Sequence, residues 1–150
     1  ALMGTISAFR GTPDDVGDAV EARMRRSRVI YEGDHRFATL IEENTLRHRV
    51  GDVEVMSAQL GALLASMALP SMSLGIIPAA APREQVMWPL EQFTVFDDAR
   101  VHVELLAARV TVTAPSELDV YLRAFTRLTG LAVYGAEARA LIVAAIEALR

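Results

Sequence analysis

At 150 residues, 52% of them hydrophobic and 23% charged, the chain has the size of one domain and a composition that argues against disorder. A net charge of −4 argues against a stand-alone nucleic-acid binder, which is normally basic. The absence of cysteine excludes disulfides, thiolate metal sites and a cysteine nucleophile, and agrees with a cytoplasmic location.

The opening residues Leu2, Met3, Ile6 and Phe9 fall at helical spacing with no cap before them, so the chain reads as a fragment that begins inside a helix. Thr12-Pro13-Asp14-Asp15 then signals a helix start, with a capping Thr, a Pro at the first helical position and acids at the positive end of the dipole. Val16, Val20 and Met24 form its apolar stripe, and Arg23, Arg25, Arg26 and Arg28 crowd its end as a solvated basic face. Glu32-Gly33-Asp34 is a turn.

Phe37 to Glu42 reads as a buried strand, and Glu43 to Val50 mixes helix and turn signals. Asp52 caps a helix marked by Met56, Leu60, Leu63, Leu64 and Met67, which Pro70 stops. Met72 to Ile77 is a second strand, and Ala79 to Pro89 is irregular. Phe93–Phe96, Val101–Leu105 and Arg109–Thr113 read as a meander with a turn at Asp97-Asp98-Ala99. Ser116-Glu117-Leu118-Asp119 resembles a capping box opening a helix with Leu118, Tyr121, Leu122, Phe125 and Leu128 on one face and Gly130 just past its end. A last helix aligns Ala138, Leu141, Ile142, Ala145, Ile146 and Leu149. The fold class is therefore α+β, a mixed or antiparallel sheet of about five strands with helices packed on it.

Chemistry is sparse. His35, His48 and His102 stand in separate elements without a metal-binding spacing, no nucleophile elbow or phosphate loop occurs, and no metal or cofactor is expected. No apolar run is long enough to span a membrane, and no secretory signal opens the chain. Strand alternation places Glu104 and His102 on one face, opposite Val101, Val103 and Leu105. Glu104 and Glu43 could form a catalytic carboxylate pair, but a solvated sheet face is the simpler reading. Trp88, the single Trp, sits in a proline-flanked loop as a pocket lid, an interface anchor or an edge of the core.

Several stretches, taken in order, resemble a known family: Leu40 through Gly51, Val55-Met56 with Gln59-Leu60, Met72 through Pro78, Phe93 through Phe96, and Val103-Glu104. The chain is similar to the C-terminal domain of unknown function that follows an Xre-type helix-turn-helix in actinobacterial regulators (WhiJ-like proteins). All fifteen basic residues are Arg, as in a GC-rich genome. The resemblance implies that residues 1–150 are a single regulatory domain, with the DNA-reading helix-turn-helix upstream. It implies a small BldB-like protein or a small molecule as partner, contact with DNA only through the upstream domain, and compatibility with a homodimer. It draws attention to Glu43, Arg47, Gln59 and Glu104, which form either a buried network or a ligand site; His102 and Trp88 join them as binding candidates. The loop Ala79 to Pro89 departs from the Gly- and His-rich pattern of the family. A dimerisation module and a carboxylate-dependent hydrolase are the competing readings, the second disfavoured because no convincing catalytic constellation is present.

Overall fold

The computed structural model describes residues 8–9, 16–83, 88 and 90–150. The sequence-predicted opening helix and the Thr12–Asp15 cap fall almost wholly outside the described residues. The chain is α+β, and its described residues form five strands, divided between a two-stranded parallel sheet and a three-stranded antiparallel sheet. It forms two compact units, one from residues 1–76 and 133–150 and one from residues 77–132.

In the first unit, helix α1 (Val16–Ser27) runs into a 3-10 turn at Arg28–Tyr31. Two residues of its predicted apolar stripe, Val20 and Met24, are exposed. The basic end is solvated as expected, with Arg25 paired to Glu21 one turn earlier. Strand β1 (Phe37–Glu42) follows, then a 3-10 turn at Glu43–Arg47 that satisfies the mixed helix and turn signals there. Gly51 takes a left-handed φ of 85°, which reverses the chain. Asp52 then caps helix α2 (Val53–Ser66), its Oδ1 accepting from the Val55 N–H at 2.8 Å.

Helix α2 returns the chain to strand β2 (Met72–Ile77), which lies parallel to β1. Phe37 N donates to Ser71 O at 2.7 Å where the two strands begin. Four consecutive buried residues, Leu74 to Ile77, are what a strand covered on both faces requires. Ile76 also exchanges both backbone hydrogen bonds with Val133, 3.0 and 2.8 Å long, which anchors the approach to helix α4 (Gly135–Glu147). The core joins Leu46, Leu60, Leu74, Ile76, Ala138, Ile142 and Ala145. The stripes predicted on α2 and α4 thus meet each other across β2.

In the second unit, β3 (Phe93–Phe96), β4 (Arg100–Glu104) and β5 (Arg109–Val112) form the antiparallel meander in that spatial order. Asp97 and Asp98, with φ of 50° and 53°, make the first hairpin turn, closed by Ala99 N on Phe96 O at 2.9 Å. Leu105 N donates to Ala108 O at 2.8 Å in the second turn. Leu105 therefore leaves the strand and is exposed, where strict alternation had placed it inward.

Helix α3 (Pro115–Thr129) covers the inner face. It begins one residue before the predicted capping box: Ala114 occupies the cap without a side-chain bond, and Pro115 sets the first helical φ. Gly130 ends the helix with φ −70°, donating to Arg127 O, so the left-handed ending anticipated from that glycine is not used. The core of this unit is smaller: Val101, Val103 and Leu118 are buried, flanked by Phe93, Val95, Val112 and Tyr121.

Candidate functional site

The register of the meander assigns its two faces. Phe93, Val103 and Val110 are cross-strand neighbours, as are Val95, Val101 and Val112, and these six form the inner face. Thr94, His102 and Thr111 form the outer face together with Glu104 opposite Arg109 and Phe96 opposite Arg100.

Helix α3 seals only part of the inner face. Val101 and Val103 of the central strand are closed off, whereas Val110 of the edge strand remains 41% exposed. Between β3, β5 and α3 the uncovered portion forms a groove of about 420 Å³. Phe93, Val110 and Val112 line it from the strands. The helix contributes Glu117, Val120, Tyr121, Ala124 and Leu128, spaced so that they share one face. Leu90 and Glu91 complete it from the segment before β3. Val120 is 53% and Leu90 83% exposed, so apolar side chains stand in water around a partly formed core.

One polar pair organises the rim. The Tyr121 hydroxyl donates to Glu91 Oε1 at 2.6 Å, and the Tyr121 ring meets Phe93 edge to face with centroids 5.0 Å apart. The hydrogen bond to Glu91, partial burial and the negative charges of Glu91 and Glu117 together push the Tyr121 pKa up to about 12. Phenols and carboxylates with apolar walls can hold and orient a ligand, but this set contains no activated nucleophile or paired general acid and base.

The residues singled out from sequence lie elsewhere. Glu43 and Arg47 flank the 3-10 turn of the first unit, with Arg47 Nη2 3.6 Å from Glu43 Oε1. Gln59 is on the exposed side of α2. A buried network of these groups is not what forms: Arg47, Gln59 and Glu104 are exposed, and Ser66 is the buried polar residue among those described. Glu104 and His102 do share a face of β4, as the alternation predicts. It is the outer face, where the His102 ring lies 4.8 Å from that of Phe96, and the groove opens on the other side. Glu43 and Glu104 belong to different compact units. Trp88 is exposed, with the Arg83 guanidinium 4.9 Å from the centre of its ring; residues 84–87 and 89 around it lie outside the described residues.

Sequence reasoning missed Glu91, Val120 and the polar use of Tyr121. A signal was present in α3, where Glu117 stands one turn before Tyr121 on a face otherwise apolar. Elsewhere, a depression of about 240 Å³ lies by Arg36–Ala38 and Pro70–Ser73, where the parallel strands begin. Among the described residues no group of three or more His, Asp or Glu side chains is placed to hold a metal ion, and no helix is long and apolar enough to cross a membrane.

Comparison with curated proteins and with solved structures returns no significant match. A family model does match, and it covers residues 2–144, which take in all of one compact unit and most of the other. The chain is thus a member of the family described as a domain of unknown function (DUF5753).

Proposed function

We propose that this domain is the effector-receiving part of a cytoplasmic bacterial transcription regulator, and that it takes a small, largely apolar molecule into the groove between β3, β5 and α3. The observation that carries this reading is the unfinished core of the second unit: Val110, Val120 and Leu90 surround a groove of about 420 Å³. That volume falls within the range of small-molecule sites, and apolar walls with a few polar groups are what such sites use. The regulatory context is supported by the resemblance of Leu40–Gly51, Met72–Pro78 and Phe93–Phe96 to the domain that follows a helix-turn-helix in actinobacterial regulators. Signalling then requires a ligand that binds one state of the regulator more tightly than another. No catalytic step is assigned.

The test is a thermal-shift screen of amphiphilic small molecules on the whole chain, with Val120→Glu as the control. Binding to the native state raises Tm, and a ligand at about a hundred times its Kd adds about 2.7 kcal/mol. Val120 is half exposed, so the charge is tolerated by the fold while it blocks the groove. A stabilising molecule whose effect vanishes in Val120→Glu supports the proposal. If no small molecule stabilises the chain, or if the shift survives the substitution, the groove is not the site; concentration-dependent dimerisation lost in Val120→Glu would instead favour the dimerisation reading.

A further inference from the structure

Resting on the groove reading, we infer that the ligand is an organic cation: an amine, or a quaternary ammonium, on an aliphatic or aromatic body. Among the described residues, the charged groups lining the groove are Glu91 and Glu117, both acidic.

They are also close together. Glu117 and Tyr121 are one helical turn apart on the same face of α3, and the Tyr121 hydroxyl is bonded to Glu91 at 2.6 Å. Both carboxylates therefore lie near the Tyr121 phenol, and the charge of each opposes its ionisation. Tyr121 donates its single proton to Oε1 of Glu91, and the second oxygen of that carboxylate keeps its acceptor capacity.

The rest of the lining suits the same occupant. Phe93 and Tyr121 place two aromatic rings in the groove, and the faces of such rings attract a cation. Val110, Val112, Val120 and Leu128 cover the remaining length and take an apolar body. An anionic ligand would meet two carboxylates. A neutral one could donate a hydrogen bond to one carboxylate but would leave the charge of both unbalanced. The ammonium group satisfies both carboxylates in a partly dehydrated setting, where the attraction is stronger than in bulk water.

Three probes of matched length separate the possibilities: octylammonium, octanol and octanoate, each titrated into the full chain while the methyl resonances of Val110, Val112 and Val120 are followed. Octylammonium is expected to bind at least about tenfold more tightly than octanol, and octanoate more weakly than either. The double substitution Glu91→Gln with Glu117→Gln should remove most of that preference, bringing the affinities for octylammonium and octanol together. If octanol or octanoate equals octylammonium, and Val120→Trp, which fills the groove without adding charge, abolishes binding, the cation assignment is overturned while the groove reading survives. If none of the three shifts the groove methyls, or if Val120→Trp leaves their binding intact as read at Val110 and Val112, both readings fall.

Discussion

The two compact units handle the same problem, burying a sheet under helices, with different completeness. In the first, α2 and α4 meet over β2, and Ile76 and Ile142 are wholly buried. In the second, one helix lies over three strands, so the central strand is sealed and the edge strand is not. A closed core stabilises a fold but offers a ligand nothing; an open one forgoes part of its burial energy and leaves a surface that a ligand can complete.

The largest expected effects break or confirm that contrast directly. Ile142→Ala in the closed core should cost about 2–5 kcal/mol, since removed methylenes leave a cavity among neighbours that cannot collapse. Val120→Ala in the groove wall should cost about 0.5 kcal/mol or less, because the side chain already faces water. Urea unfolding of both variants measures the difference. Equal losses would mean that the second unit is as tightly packed as the first.

Much of the closed unit was legible in sequence, and the reason is local. Phe37–Glu42 and Met72–Ile77 are short and rich in apolar residues, α2 carries a capping Asp52, and α4 repeats its small and branched residues at helical spacing. The alternation in β4 likewise assigned Val101 and Val103 inward and His102 and Glu104 outward. Sequence supplied the pairing of the meander, whose strands local turns join, but not the pairing of distant strands. The parallel partnership of β1 with β2, and the separation of five strands into two sheets, depend on long-range register that no single segment encodes. The groove was illegible for the same reason: Leu90, Val110 and Val120 come from three segments, and each is an unremarked surface apolar residue until the fold assembles them. Helix α1 shows the converse error, where the spacing of Val20 and Met24 is sound but those side chains are exposed.

A smaller effect sharpens the closed side. Gly75 lies in the middle of β2, and a methyl added there would come within 2.7 Å of the Tyr134 ring and 2.8 Å of Leu40 Cδ2. The glycine is thus what lets two side chains approach the strand. Gly75→Ala should cost about 1–3 kcal/mol through overpacking, despite the higher strand propensity of alanine. The same denaturant titration reads it. A neutral outcome would show that Tyr134, which is partly exposed, swings aside and that this end of the core is loose.

The finest test falls on the open side, and its sign follows from proton linkage. A tyrosine in an unfolded chain ionises near pH 10, whereas Tyr121 in the folded chain is held up to about 12, chiefly by its hydrogen bond to Glu91. Below pH 10 the phenol is protonated in both states and the bond contributes in full. As pH rises from about 10 to about 12 the unfolded chain releases this proton before the folded one, so stability falls; above 12 the contribution is gone. Tyr134 is also raised, by burial, and weakens the fold in the same direction, so the quantity that isolates Tyr121 is the difference between the native chain and Tyr121→Phe. The native chain should lose stability more steeply over that window, and phenolate absorbance in the variant should lack the contribution that titrates up to about 12. Parallel profiles would mean that water competes successfully for the Glu91 carboxylate, and the rim would then lack the fixed phenol on which the cation site depends.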